Sequence, residues 1–282
     1  MHVIGLLHPG EMGSAVGSCL TAAGHQVLWA SHGRGDQTAV RARTAAMTDA
    51  GSATEVARRA DMIVSVCPPH AALEIARSVS GFRGVYVDAN AIAPATAREV
   101  AAILHGGGAT YVDGGIIGPP PASAGTTRLY LSGSAAAEVR DLFAGTPLEA
   151  RIITADVAAS RLGQPASACA GVRADVAASA LKMAYAAWTK GSAALLLSAR
   201  ALAEAEGVAD ALRVEWELSQ PGLLARCRSA ERSAAAKGWR WTAEMEEIAA
   251  TMAAAGLPPG FHLAAAEVFR DYPRHSSAAD QA

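Results

Sequence analysis

Over the first 155 or so positions, apolar residues come in short runs rich in β-branched side chains, separated by Gly and Pro and by stretches of helical character. Val3 to Leu7, Val27 to Ala30, Met62 to Val66, Gly84 to Val87, Thr110 to Val112 and Arg128 to Leu131 predict buried strands. Between them Gly13 to Ala23, Ala71 to Ser80 and Pro94 to Leu104 predict helices. That alternation predicts an α/β fold, a doubly wound sheet with helices on both faces. After Ile153 the strand pattern stops. Ala174 to Glu206 holds 13 Ala, with Gly191 as its interior helix-weakener, and predicts one long helix. Stops at Gly207, Pro221-Gly222, Gly238 and Gly256-Leu257-Pro258-Pro259-Gly260 divide the remainder into shorter helices. The expected organisation is a doubly wound α/β domain over 1–155 and an all-helical domain over 156–282, opening with the long helix 174–206 and fraying from Pro273.

Composition narrows the possibilities. Alanine supplies 68 of 282 residues, and 24 Lys+Arg against 26 Asp+Glu give a formal charge of -2 without blocks of one sign. A basic nucleic-acid surface is not expected. The start Met1-His2-Val3-Ile4-Gly5 lacks a basic stretch before an apolar run, and the Ala/Leu-rich segments carry Arg and Glu too often to span lipid. Cys19, Cys67, Cys169 and Cys227 lie far apart with no C-x-x-C pair, so neither a disulfide framework nor a zinc site is expected. No His, Asp or Glu cluster has metal-ligand spacing. These readings predict a soluble cytoplasmic protein without a metal.

The first strand runs into Gly5-Leu6-Leu7-His8-Pro9-Gly10-Glu11-Met12-Gly13, and a helix follows. Strand, glycine turn and helix come in the order a pyrophosphate site requires. Gly10 lets backbone approach phosphate, Gly13 lets helix and strand pack closely, and the helix N-terminus favours an anion. The first glycine of G-x-G-x-x-G falls on His8, so a non-glycine residue followed by proline must build the tight turn. At the end of the second strand an NAD enzyme places an acid on the ribose hydroxyls. Here the residues are Ala30-Ser31-His32-Gly33-Arg34, with no acid before Asp36. Ser31, His32 and Arg34 would surround a 2′-phosphate, which predicts NADP(H) in a Rossmann-like domain.

With these residues in view the chain resembles the β-hydroxyacid dehydrogenase superfamily, which includes 6-phosphogluconate and 3-hydroxyisobutyrate dehydrogenases and has imine reductases as cousins. His8-Pro9-Gly10-Glu11-Met12-Gly13 is similar to its Gly-Leu-Gly-x-Met-Gly loop, and Asp88-Ala89-Asn90-Ala91-Ile92-Ala93-Pro94 to its Asp-x-Ser/Asn-x-x-x-Pro segment. Asp113 to Pro119, with Gly125-Thr126, resembles the substrate-binding Asp-Ala-Pro-Val-Ser-Gly-Gly and its later Gly-Thr, and Ala180 to Tyr185 resembles the helix with the catalytic Lys. Gly238 to Ala249 and Gly256 to His262 resemble a C-terminal domain of unassigned function found in one branch. The resemblance implies a homodimer joined through the long helix, and a substrate loop at Ile117, Gly118 and Pro119. Ile117 stands where the family has its polar Ser and Pro119 where it has a second Gly, which replaces a polar contact with an apolar, stiffer wall. Tyr185 and Ala186 stand where the family has Asn, so a bulkier or less polar substrate is expected.

Lys182 also stands out on physical grounds. The chain uses 21 Arg but only Lys182, Lys190 and Lys237. Arginine stays charged, whereas a lysine in a partly desolvated site lowers its pKa and exchanges a proton. Lys182 is thus the expected proton donor and acceptor for hydride transfer; a snorkelling side chain fits helix position alone equally well. Tyr185, Thr189 and Ser192 follow at helical spacing and would orient substrate or Lys182. Cys67, Pro68, Pro69 and Asn90 lie at strand ends and are expected on ribose or nicotinamide, with Asn90 on either cofactor or substrate and His70 a helix-start residue. Trp239 and Trp241 read as core packing in preference to site lining. The function expected is NADP(H)-dependent oxidation or reduction of a hydroxyacid, alcohol or carbonyl compound. Imine reduction, or a non-catalytic nucleotide sensor, remains open.

Overall fold

The computed structural model describes residues 1–153 and 175–272. The domain boundary expected at 155–156, Ala174 at the head of the expected helix, Cys169 and the tail from Pro273 lie outside them. The chain divides into two compact units, Met1–Lys182 and Met183–Ala282.

The first unit is built on one sheet. Its strands are β1 (Val3–Leu7), β2 (Gln26–Trp29), β3 (Thr48–Asp49), β4 (Met62–Ser65), β5 (Val85–Asp88), β6 (Thr110–Ile117), β7 (Thr127–Ser132) and β8 (Leu148–Ile152). Their order is β3-β2-β1-β4-β5-β6-β7-β8. β1 to β6 pair in parallel, β7 runs antiparallel to β6, and β8 lies parallel to β7. Strand order reverses between β1 and β4, the place where open α/β sheets bind ligands at their carboxyl ends.

The helices α1 (Glu11–Ala22), α2 (Asp36–Thr44), α3 (Ala53–Arg59), α4 (Ala72–Ser78), α5 (Pro94–Gly107) and α6 (Ala136–Asp141) cover both faces. On one face Val16 and Leu20 of α1 and Val139 of α6 pack with Ile4, Leu6, Val64 and Leu129. On the other, Val56, Ile75, Val100 and Leu104 pack with Ile63, Tyr86 and Tyr111. This is the doubly wound sheet that the sequence pattern predicts. Local signals place the ends: Pro94 begins α5, and Gly108, at φ 93°, closes it in the left-handed conformation that glycine adopts without strain.

The strand pattern errs in three places. β6 extends five residues past Val112, through Gly114 and Gly115. A Cβ on Gly114 would lie 2.9 Å from the Asp88 carbonyl oxygen, and one on Gly115 would lie 2.8 Å from that of Ala178. Glycine here allows close approach of backbone and does not mark a turn. β8 was not expected because Leu148 is the one buried side chain in Leu148–Ile152, as befits an edge strand. β3 is two residues long and carries no apolar signal.

The second unit holds most of α7 (Ala177–Ala205), with α8 (Ala209–Ser219), α9 (Leu223–Ala254) and α10 (Gly260–Arg270). The expected stop at Gly238 is corrected: α9 runs unbroken through it for 32 residues. A Cβ at Gly238 would sit 2.9 Å from Cβ of Tyr272, so packing selects glycine. Trp241 is buried edge-on to Phe269 at 5.0 Å, with Met245, Ile248 and Ala266 also in the core. The ammonium of Lys190 pairs with the Glu244 carboxylate and lies 5.7 Å from the Trp241 ring centre. Among the described residues no helix is long and apolar enough to cross a membrane.

Candidate cofactor and catalytic site

The carboxyl ends of β1, β2, β4 and β5 carry the expected nucleotide residues. After β1, His8 adopts φ 70°, a backbone state that the missing glycine would take at no cost. The Gly10 N–H bonds back to the His8 carbonyl at 2.7 Å, which closes the turn. α1 then starts at Glu11 with no side-chain cap on its N-terminus. A Cβ at Gly10 would meet no atom within 4 Å, whereas one at Gly13 would lie 2.6 Å from the His8 carbonyl oxygen. Packing therefore demands glycine at Gly13 only, and the space over Gly10 stays open above uncapped helix N–H groups. A diphosphate fits there. Glu11 is exposed, and Met12 packs against the core of the sheet face that α1 covers.

Arg34 reaches this turn from the loop after β2. Its guanidinium donates to His8 Nδ1 at 2.8 Å, so that nitrogen accepts and the imidazole is neutral. Burial, then the Arg34 and His70 charges, lowers the His8 pKa to about 4. The loops after β1, β2 and β4 thus lie within electrostatic reach of one another. Ser31 accepts the Arg34 N–H at its carbonyl, and the His32 N–H bonds to the Gly51 carbonyl. His32 and Arg34 are exposed, as a contact to a phosphate requires.

After β4 and β5 the polar groups turn inward. The Cys67 N–H donates to Asn90 Oδ1 at 2.6 Å, and Asn90 Nδ2 donates to Ser65 Oγ at 3.2 Å. Asn90, 2 % exposed, ties two strand ends together. Burial, with the Asp88 charge second, pushes the Cys67 thiol up to about 12, so it is no nucleophile. Pro68 is exposed and Pro69 opens a short 3₁₀ turn, Pro69–Ala71, that leads into α4 and includes His70.

Lys182 lies on α7 beside β6, donating from Nζ to the Ile116 carbonyl at 2.7 Å. Desolvation alone lowers its pKa to about 8. Ile117 ends β6 with its side chain buried, Gly118 takes φ 128°, and the Pro119 carbonyl accepts the Thr127 hydroxyl at 2.6 Å. Farther along α7, Tyr185 is exposed, while the Thr189 and Ser192 hydroxyls are donated to the Tyr185 and Thr189 carbonyls of their own helix.

A row of buried polar groups went unassigned in the sequence: Ser65, Asp88, Asp113 and Ser132, side by side on β4, β5, β6 and β7. The signal available was the repeated tripeptide Tyr-Val-Asp at 86–88 and 111–113, which the sheet sets in register. Burial raises Asp88 to about 7, with the Asp113 charge adding to the rise and the Asn90 N–H opposing it. Among the described residues no three His, Cys, Asp or Glu come together to hold a metal.

The chain resembles known proteins in sequence and in fold. Residues 3–91 match the family described as NADP oxidoreductase, coenzyme F420-dependent, and residues 203–272 match a domain of unknown function, DUF1932. No curated protein matches the chain. Among solved structures, a conserved protein of unknown function, described as structurally similar to 3-hydroxyacid dehydrogenases, is 26% identical with a TM-score of 0.66, over 96% of this chain and 97% of its own. The 3-hydroxyisobutyrate dehydrogenase of Mycobacterium tuberculosis, solved with L-serine, is 19% identical with a TM-score of 0.67, over 96% and 94%. A reductive aminase from Aspergillus terreus, solved with NADPH and ethyl levulinate, is 18% identical with a TM-score of 0.57, over 96% and 93%. The chain thus carries the fold of the 3-hydroxyacid dehydrogenases, with residues 3–91 similar to the NADP oxidoreductase family and residues 203–272 similar to DUF1932.

Proposed function

We propose that this protein is an NADP(H)-dependent oxidoreductase acting on a small hydroxyacid, alcohol or carbonyl compound, with Lys182 as its proton donor and acceptor. The observation that carries the reading is the partly buried Lys182, whose ammonium is held by the Ile116 carbonyl and whose pKa desolvation brings down to about 8. At that value both protonation states are populated near neutrality, as acid and base work requires. An arginine could not do this.

The cofactor side follows from the turn after β1. Gly10, Glu11, Met12 and Gly13 would hold the diphosphate on the backbone, and Ser31, His32 and Arg34 the 2′-phosphate, with neutral His8 steadying the Arg34 guanidinium. Cys67, Pro68, Pro69 and Asn90 would border the ribose and nicotinamide at the ends of β4 and β5. When bound, the reduced cofactor supplies hydride. Lys182 gives a proton to the carbonyl oxygen as charge builds there, and takes one back in the oxidising direction. Ile117, Gly118 and Pro119 would present a mainly apolar wall to the substrate. Tyr185, exposed one turn beyond Lys182, favours imine reduction as the second reading.

Reduced-nicotinamide absorbance followed over hydroxyacids, aldehydes, ketones and cyclic imines, with wild type beside Lys182→Met, tests the proposal. We expect turnover to fall by about 10² to 10⁴ in the variant, with NADPH affinity kept. Near-normal turnover in Lys182→Met would refute the role of Lys182. Tight NADPH binding with no reaction across the panel would favour the nucleotide-sensor reading instead.

We also propose a homodimer formed through α7. Leu181, Tyr185, Trp188, Leu195 and Leu202 are all exposed, spaced by four, three, seven and seven residues, and so form an apolar stripe along one side of the helix.

A further inference from the structure

The first turn of α7 is held from outside its own sequence. Helix N-termini leave N–H groups unpaired, and a neighbouring side chain commonly caps them. Here the Ala178 N–H donates to Ser132 Oγ at 3.2 Å and the Ser179 N–H to Asp113 Oδ2 at 2.8 Å. The Ser179 hydroxyl donates to Asp113 Oδ1 at 2.5 Å, and the Ser132 hydroxyl to Asp113 Oδ2 at 3.1 Å. Asp113 is fully buried, and Ser132 and Ser179 are each 1% exposed. One carboxylate therefore accepts three hydrogen bonds at the positive end of a 29-residue helix, where negative charge is most favourable.

The same strand touches the helix twice more. At Gly115 a Cβ would come within 3.2 Å of Lys182 Cβ, and the next residue, Ile116, accepts from Lys182 Nζ. Asp113, Gly115 and Ile116 thus meet Ser179, Ala178 and Lys182 in a continuous seam. Lys182 lies four residues beyond Ala178, so any slip of the first turn carries the amine with it.

We propose that Asp113, together with Ser132 and Ser179, is the positioning group for Lys182: by pinning the first turn of α7 to β6 it sets how far the amine is withdrawn from water. Asp113 touches no reacting atom and acts only through the helix. The titratable group beside it is Asp88 on β5, which burial raises to about 7 and whose Oδ2 is buried without a hydrogen-bond partner. The catalytic consequence rests on the reading of Lys182 as proton donor; the positioning itself does not. An asparagine at Asp113 would offer one acceptor oxygen to three donors and leave a buried donor unpaired.

The chain's three lysines make the test direct. Reductive ¹³C-methylation gives a separate dimethyl-lysine signal for each, and Lys182→Arg assigns the one that matters. In wild type we expect its midpoint near 8. In Asp113→Asn and in Ser179→Ala, with folding checked by circular dichroism, we expect its midpoint to move upward by at least about half a pH unit as water reaches the amine. The signals of Lys190 and Lys237 should stay put. Ser179→Ala keeps the backbone bond to Asp113, so it remains informative should Asp113→Asn fail to fold. An unmoved Lys182 midpoint in a folded variant would overturn the proposal. A moved midpoint combined with full turnover in Lys182→Met would leave the positioning intact and sink the catalytic reading.

Discussion

Asp88 is a residue whose acid-base chemistry its surroundings displace strongly. It is buried in the polar row across β4 to β7 and keeps its proton to about 7, where an ordinary aspartate loses it near 3.8. The folded protein therefore binds a proton that the unfolded chain releases, and stability falls as pH rises from about 3.8 to about 7. Asp88→Asn never ionises and still offers an acceptor to the Asn90 N–H. Its stability relative to wild type should be level near pH 4, rise through that window and flatten above it, by up to a few kcal/mol in order of magnitude. Denaturant melts at pH 4, 6 and 8 measure this, and a pH-independent difference would refute it. Arg34 supplies a second residue-scale prediction. If its guanidinium meets a 2′-phosphate, Arg34→Ala should lower NADPH affinity by about tenfold to a hundredfold and leave NADH affinity nearly unchanged. Equal losses on both cofactors, measured by fluorescence titration, would remove the NADP preference.

At the scale of elements, glycines that look alike in the sequence do different things. Gly10 faces open space, whereas Gly13 and Gly115 are pressed against carbonyl oxygens at 2.6 and 2.8 Å. Gly115→Ala should force β6 and α7 apart and cost roughly 1–3 kcal/mol. Gly10→Ala should leave the melting temperature nearly unchanged but weaken nucleotide binding. Thermal melts paired with cofactor titration separate these outcomes, and a destabilised Gly10→Ala would contradict the reading of that turn. Elements were legible where several signals agreed. The strand, turn and helix at Val3 to Ala23 join a β-branched run, glycines and an apolar helix face, and appear where expected. The sequence pattern ends β6 five residues short because Gly-Gly resembles a turn until its two close neighbours are known. Gly238 misled in the same way, through Tyr272.

For the whole molecule, the division into two units falls inside α7, between Lys182 and Met183. The helix bearing the proposed acid and base is thereby rooted in the sheet unit through Asp113 and Ile116. Its exposed stripe, with Trp188 68% and Leu202 64% accessible, is larger and more regular than scattered surface apolar residues. Light scattering at micromolar concentration should give a mass near twice 28.7 kDa. Trp188→Glu should shift that mass toward the monomer, and a wild-type monomer would defeat the proposed dimer.

The sequence by itself determined the doubly wound sheet, the helical second half and the turn after β1, because these depend on local periodicity and on glycine spacing within a few residues. It also singled out Lys182, since a lysine in mid-helix, in a chain with 21 Arg and only three Lys, is a chemical choice visible without coordinates. Only the tertiary structure decided the rest. The neutral state of His8 depends on Arg34 and burial, the row from Ser65 to Ser132 on strand register, and the cap on α7 on residues 46 and 66 positions away. These are contacts between distant segments, and distance in the sequence carries no record of which segments the sheet brings together.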